Sequence, residues 1–355
     1  LSAAVLVTGG AGFIGSNLAD RLAGEGHDVL VYDSLQRPGV ERNLAWLTER
    51  HGRKITAIRA DVRDRETLTR AVHEASAVFH LAAQVAVTTS LVEPWDDFGV
   101  NLEATVRLLE AVRGRGEPIP VIFASTNKVY GDLADLEMEV RGDGYVPLDD
   151  QARKLGIGEA RPLDFHTPYG CSKGAADQYV LDWARSYGLP TCVVRMSCVY
   201  GRRQMGTEDQ GWVAHFAIRA LEGRPITLYG DGLQVRDILD VSDAVDAYVQ
   251  AWRRIDQVSG SAFNLGGGPD NAASLVRVIG EIEKLVGRKI EAERSDWRRG
   301  DQRWFVADPR KAMRELGLKP FKPWREGVAD LVWWLAEERG LEQPAREAVP
   351  LGAVL

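Results

Sequence analysis

Val5-Leu-Val-Thr-Gly-Gly-Ala-Gly-Phe-Ile-Gly15 reads as a buried strand, a glycine turn and the first turn of a helix. Residues 4–8 form a short apolar run suited to a strand covered on both faces. Residues 16–22 then place Leu18, Ala19 and Leu22 on one helix face. Between them, Gly9 permits a tight turn, Gly12 lets the backbone approach a pyrophosphate, and Gly15 lets the helix pack close to the strand. Phe13 and Ile14 open the helix, whose free N–H groups and partial positive charge suit a phosphate. Glycine is also the one compositional excess: 36 of 355 residues, about a tenth against a usual ~7%.

Working outward, residues 29–32, 55–60, 78–81, 121–125 and 192–195 are further short apolar runs. Amphipathic stretches near 66–73, 102–113 and 173–187 alternate with them. That rhythm implies a parallel sheet with right-handed crossovers, a doubly wound Rossmann-like α/β fold. After Gly201 the pattern changes to helices near 213–221, 243–253, 274–286, 310–316 and 327–338, mixed with short strands at 226–228 and 262–265. Residues 1–200 are therefore expected to form the dinucleotide-binding domain, 201–340 mainly a smaller α/β substrate lobe, and 341–355 a C-terminal tail. Residues 133–166 show no clean periodicity and are long for a structureless loop, and such loops are usually functional or partly disordered.

Composition excludes several classes. With 44 basic and 51 acidic residues the net charge is −7, which argues against a nucleic-acid partner, because neutralising phosphates takes a basic surplus. No run approaches the ~18 apolar residues of a membrane span, and residues 1–15 show no basic leader of a secretory signal. Cys171, Cys192 and Cys198 lack paired spacing and read as small packing residues of a reduced chain. The six histidines form no ligand pair. The expectation is a cytoplasmic protein without a metal site or a membrane partner.

The second strand candidate ends in Asp33, eighteen residues after Gly15. A carboxylate there can accept hydrogen bonds from an adenosine ribose, and its charge opposes a 2′-phosphate, so NAD is favoured over NADP. Arg37 is the residue that could reverse this. Asp61 and Val62, after the third strand, would flank the adenine; Leu81, Ala82 and Ala83, after the fourth, would run beneath the cofactor. Tyr169-Gly-Cys-Ser-Lys173 puts a phenol and an ammonium on one face of a helix. Lys173, together with a positive nicotinamide, would favour the phenolate, so that Tyr169 can take a proton near neutral pH. Lys173 could also hold the nicotinamide ribose, and Thr126 could hydrogen-bond the same substrate hydroxyl. The chemistry implied is oxidation of a secondary alcohol.

These motifs resemble the extended short-chain dehydrogenase/reductase family of nucleotide-sugar-modifying enzymes. The resemblance runs through the glycine turn, Asp33, Asp61-Val62, His80-Leu-Ala-Ala83, Asn101, Ser125-Thr-Asn-Lys-Val-Tyr-Gly131, Tyr169 with Lys173, Arg195, Tyr200-Gly201, Gln234-Val-Arg-Asp237 and Gly300-Asp-Gln-Arg303. It implies that Arg236 and Arg303 hold the nucleotide's phosphates, which suits a forked guanidinium. Where the family's 4,6-dehydratases carry Asp-Glu after the threonine, this chain has Asn127-Lys128 and lacks that acid pair. Where 4-epimerases often carry asparagine, it has Cys198, which weakens that reading without removing it.

Longer strings are similar to the CDP-tyvelose (CDP-paratose) 2-epimerase subgroup: Gln84-Val-Ala-Val-Thr-Thr-Ser90, Ser125 to Leu133, Leu163 to Tyr179, Tyr200-Gly-Arg-Arg-Gln204 and Asp209-Gln-Gly-Trp212. That similarity implies inversion at C2 of a CDP-hexose through a 2-keto intermediate, with the hydride returned to the opposite face. It also implies substrate contacts from Gln84, Ser90, Thr126, Asn127, Lys128, Arg203 and Gln204. For Asn127 and Lys128, plain loop hydrogen bonding is as good an expectation; His166 is expected to order its loop, and Trp212 is either core or a base-stacking side chain. The alternatives are a 4-epimerase or other nucleotide-sugar oxidoreductase, and a non-catalytic nucleotide sensor. A homodimer or homotetramer is expected on the frequency of symmetric assemblies alone.

Overall fold

The computed structural model describes residues 3–342. Seven parallel strands form the central sheet: β1 (Ala4–Thr8), β2 (Val29–Asp33), β3 (Ile55–Arg59), β4 (Ala75–His80), β5 (Val121–Thr126), β6 (Thr191–Met196) and β7 (Ser261–Leu265). Their spatial order is 3-2-1-4-5-6-7, so the winding reverses between β1 and β4. That reversal opens a crevice at the carboxyl ends of the strands, the usual ligand position of a doubly wound sheet.

Helices Phe13–Gly24, Val40–His51 and Val241–Arg253 cover one face, with Leu18, Leu22, Leu47, Val245 and Tyr248 buried against Val5, Val7, Val31 and Phe79. Helices Arg65–Glu74, Ala104–Gly114 and Thr167–Tyr187 cover the other, around Leu6, Tyr32, Val78, Phe123 and Val193. A strand buried on both faces gains nothing from alternation, which is why these strands read as continuous apolar runs.

One expectation fails here. Residues 262–265 and the helix near 243–253 do not sit in the second lobe. β7 pairs with β6 as the seventh strand of the main sheet, and Val241–Arg253 packs on that sheet. The chain leaves the sheet after β6 and returns, a long-range pairing that local periodicity does not encode. The rest of the second half builds a separate core from Phe216, Ile218, Leu228, Val278, Ile282, Leu331 and Leu335 on helices Trp212–Glu222, Leu275–Val286 and Trp324–Glu338. Strand Val235–Asp240 links the halves, pairing with Cys198–Tyr200, Ala272–Ser274 and Trp304–Phe305.

The aperiodic stretch at 133–166 is ordered. It forms an antiparallel hairpin, Met138–Arg141 with Gly144–Pro147, and a helix, Asp150–Leu155, capped by the Asp149 carboxylate on the Ala152 N–H. Of the expected tail at 341–355, residues 343–355 lie outside the described part.

Candidate active site

The glycine turn shows why those positions exclude side chains. Gly9 has φ +68°, and a Cβ there would stand 2.7 Å from the Ala82 nitrogen, across the crevice on the β4 exit. At Gly15 a Cβ would stand 2.1 Å from the Gly9 carbonyl, so any larger residue pushes the helix off the turn. No side chain caps the helix start and no acid occupies its first turn, which leaves its N–H groups for an anion. Asp33 closes this end: its carboxylate accepts the Ala11 N–H at 3.1 Å and the Leu35 N–H at 2.9 Å. Burial raises the Asp33 carboxyl, and those N–H groups pull it partly back. The Gly12 N–H also acts on this carboxylate, whose two oxygens still have lone pairs to offer a ribose.

A cleft of about 660 Å³ runs from this turn to the end of β5 and across to residues 196–213. Gly9, Gly12, Phe13, Ile14, Gly15, Asp33, Asp61, Val62, Leu81, Ala82, Ala83, Tyr169 and Lys173 all line it, together with Arg37. These residues fit a dinucleotide: a cradle that admits no Cβ, a bare helix N-terminus and a half-buried acid beyond it.

The floor is held from behind. Thr8 Oγ1 lies 2.6 Å from His80 Nδ1 and accepts the Ala82 N–H at 3.3 Å, and His80 Nε2 lies 3.1 Å from Thr105 Oγ1. Thr105 donates its own proton to the Asn101 carbonyl at 2.6 Å, so Nε2 carries the ring proton and Nδ1 accepts from Thr8. Burial keeps this ring neutral, lowering its pKa to about 3.

Thr126, at the end of β5, and Tyr169 are hydrogen-bonded through their side chains. Tyr169 is positioned from an unexpected direction. Its N–H, in the first turn of Thr167–Tyr187, is capped at 3.2 Å by Ser90 Oγ, because His166 at the N-cap position supplies no side-chain bond. Ser90 is fully buried and outside the cleft lining, where it caps the Tyr169 helix from a distant segment. Asn101 Nδ2 donates to the Gln84 carbonyl (3.0 Å), Asp97 (3.1 Å) and Ser172 Oγ (3.1 Å), while Ser172 donates to Asp97. This network locks the Tyr169 helix to the loop after β4. Neither Asp97 nor Ser172 stands out in the sequence, because their partners come from distant segments.

The expected effect of Lys173 on Tyr169 also changes. Its Nζ donates to the Ala124 carbonyl at 2.5 Å and lies 4.2 Å from the centre of the Phe123 ring. Burial lowers Lys173 to about 7, opposed by Asp177 and Asp97. Tyr169 is pushed up to about 12 by burial, with only the Thr126 hydrogen bond acting downward. The protein's own groups therefore do not make the phenol acidic: the lysine is directed at the β5 backbone.

Among the expected substrate contacts, Gln84, Thr126 and Gln204 line the cleft; Asn127, Lys128, Arg203, Arg236 and Arg303, like Ser90, do not. Gln204 leaves its Oε1 buried without a partner. Asn127 donates to Gln302 at 3.2 Å, and Lys128 donates to the Gly300 carbonyl at 2.8 Å, so both pin the 300–302 segment. Arg203 points away altogether. Its guanidinium stacks over Trp46 at 4.0 Å and faces Trp334 at 5.4 Å and Glu338 at 3.7 Å, so it clamps two helices together. Arg236 is buried and bound to Asp301 at 2.5 Å and to the Gln302 carbonyl at 2.6 Å. Arg303 is exposed, between Tyr145 and Trp297. His166 sits between Asp132 and Asp164, at 2.9 and 3.1 Å, in its loop. Trp212 lines the cleft at the start of its helix, edge-on to Phe216. The sequence reading missed the far wall, including Met196, Ser197, Met205, Thr207 and Gln210.

No helix among the described residues is long and apolar enough to cross a membrane. A CDP-paratose 2-epimerase from Salmonella typhi is 40% identical over 337 residues, covering 93% of this chain and 98% of that protein. A UDP-glucose 4-epimerase from Mycolicibacterium smegmatis is 34% identical, covering 92% of this chain and 96% of its own. Among solved structures, UDP-glucose 4-epimerase of Thermus thermophilus in complex with NAD superposes with a TM-score of 0.78 at 32% identity, covering 93% of this chain and 98% of that one. Residues 5–266 match the family model described as NAD dependent epimerase/dehydratase family. That span contains both the glycine cradle and Tyr169 with Lys173, and the chain belongs to this family as an NAD-dependent enzyme.

Proposed function

We propose that this protein is a nucleotide-sugar epimerase that inverts C2 of a CDP-hexose of the CDP-paratose/CDP-tyvelose type. The observation that carries this reading is the end-to-end match to a CDP-paratose 2-epimerase at 40% identity. The site is consistent with it. Asn127 and Lys128 replace the acid pair an elimination would need, and both are committed to the 300–302 segment.

In this reading Tyr169 Oη removes the proton from the C2 hydroxyl and later returns it. NAD, when bound, supplies the acceptor and then the donor of the hydride. Thr126 holds the phenol and the hydroxyl in line, and Lys173, anchored on Ala124, fixes the ribose side of the cleft. Ser90 and the Asp97–Asn101–Ser172 network keep the Tyr169 helix in register with the loop that carries Gln84. The 2-keto sugar then presents its other face, and no net oxidation results.

The test is incubation of the protein with CDP-, UDP- and GDP-hexoses, with NMR of the products. The expected result is inversion at C2 of a CDP-hexose, with a C2 deuterium retained. Inversion at C4 alone, or deuterium lost to solvent, overturns the reading.

A further inference from the structure

The hairpin Met138–Arg141/Gly144–Pro147 interrupts the sequence between the Thr126 and Tyr169 motifs, yet the mechanism above gives it no work. It packs on the 231–235 turn and strand of the second half. The Tyr145 N–H donates to the Leu233 carbonyl at 3.0 Å, and its hydroxyl donates to Asp231 Oδ2 at 2.6 Å. Asp231 Oδ1 is itself fixed by the Leu233 N–H at 2.9 Å. The Tyr145 ring is therefore held at both ends. Trp297 packs edge-on to it, with centroids 6.4 Å apart.

The Arg303 guanidinium lies beside this pair, 5.4 Å from the Tyr145 ring and 5.9 Å from the Trp297 ring. Its backbone is pinned as well, since its carbonyl accepts the Val235 N–H at 3.0 Å. Other arginines of this wall are neutralised: Arg236 by Asp301, and Arg298 by Glu208 and Asp209. No described carboxylate lies within ion-pair distance of Arg303. Two aromatic rings attract a guanidinium through their faces without cancelling its charge, so Arg303 is an oriented cation that keeps its forked donors for an external anion. The segment that carries it abuts the cleft: Lys128 holds Gly300, and Arg298 reaches Asp209, a lining residue.

We propose that the 138–147 hairpin is a wall of the nucleotide subsite, with Tyr145 as the residue that positions Arg303 toward the diphosphate of the substrate. The inference rests on the nucleotide-sugar reading above and adds a part to it. The hairpin does no chemistry; it sets affinity for the diphosphate end.

The experiment uses the full chain loaded with NAD, with CDP and inorganic pyrophosphate as binding probes and the epimerised CDP-hexose for kinetics. Arg303→Ala is expected to weaken CDP about tenfold or more. Tyr145→Leu, which keeps apolar bulk but no ring, is expected to raise the CDP dissociation constant and KM about two- to fivefold. Its kcat and NAD content stay at the wild-type level, a split that general unfolding would not produce. Tyr145→Phe keeps the ring, loses the Asp231 anchor and is expected to show a smaller rise in the same two quantities. If Arg303→Ala weakens CDP while both Tyr145 variants match the wild type, the hairpin's role is overturned and the nucleotide-sugar reading stands. If Arg303→Ala leaves CDP and pyrophosphate binding unchanged, the diphosphate is not there, and the placement of the nucleotide falls with the inference.

Discussion

The two walls of the cleft are built on different principles. The cofactor wall is backbone: a turn that excludes any Cβ at Gly9 and Gly15, a bare helix N-terminus and the exits of β1, β2 and β4. The opposite wall is side chain: Gln204, Thr207, Gln210 and Trp212, backed by arginines whose charge is spent on Asp301, Glu208 and Asp209 or left free at Arg303. A backbone cradle tolerates few sequences, whereas a side-chain wall can be rebuilt one residue at a time. That asymmetry lets one scaffold keep its dinucleotide while changing its sugar.

The two walls meet at Tyr169 and Thr126, which both line the cleft. Tyr169→Phe is expected to reduce turnover by a factor of about 10² to 10⁴, with NAD still retained, as measured by product NMR and by absorbance of the released cofactor. Turnover near the wild-type level would remove Tyr169 from proton transfer. Because burial raises Tyr169 to about 12 and the Thr126 hydrogen bond acts downward, activity that needs the phenolate rises with pH. Thr126→Val moves that limb to higher pH.

The same asymmetry explains what the sequence could reveal. Gly9, Gly12, Gly15, Asp33 and the Tyr169/Lys173 spacing are legible because each records a local geometric demand: a positive φ, a close approach, one turn of helix. Arg203 misleads for the opposite reason. It stands beside Gln204, which does face the cleft, but its partners Trp46 and Trp334 come from distant helices. Ser90 is similar: its proximity to the site is real, and only the fold shows that it caps Tyr169. The placement of β7 was hidden too, since strand order is a property of pairing rather than of any one run.

The walls also respond oppositely to acid. His80, behind the cofactor floor, has its pKa lowered to about 3 by burial. The unfolded chain then binds the extra proton, and this contribution to stability is lost as pH falls from about 6.5 toward 3. Asp237, on the strand behind the opposite wall, is raised to about 7 by burial against donors from Ser197, Gly268 and Ala307. Here the folded chain holds the extra proton, so this contribution is lost as pH rises from about 3.8 through 7. Each amounts to something on the order of 4 kcal/mol when fully developed. Thermal unfolding between pH 4 and 6.5 should therefore tilt in opposite directions: a shallower acid loss in His80→Gln, a steeper one in Asp237→Asn. Parallel curves for the two variants would show that these groups do not titrate as their burial requires.

A smaller cost follows from the cradle itself. Gly15→Ala adds one methyl group 2.1 Å from the Gly9 carbonyl, and overpacking of this kind costs about 1–3 kcal/mol. The expected readout is a lowered Tm together with lost NAD content. Asn127→Ala, on the opposite side, should leave NAD content unchanged. If both variants retain NAD equally, the cradle is not the rigid element it is taken to be.

The smallest effect is the finest test of which residues belong to the opposite wall. Arg203 adopts φ +70° and spreads its guanidinium over Trp46, so its contribution is to hold helix Val40–His51 against helix Trp324–Glu338. Cation–π contacts are worth about 0.5–1 kcal/mol apiece where water still reaches them, and the Glu338 pair adds little at its distance. Arg203→Ala should therefore lower stability by roughly 1 kcal/mol in denaturant unfolding while kcat, KM and the CDP dissociation constant stay at their wild-type values. Gln204→Ala, one residue along, differs: it removes a cleft-lining side chain whose Nε2 donates to the Val199 carbonyl at 3.2 Å, so it should raise KM as well as lower stability. A rise in KM for Arg203→Ala would mean that the guanidinium leaves Trp46 when substrate arrives, making this arginine part of a moving wall.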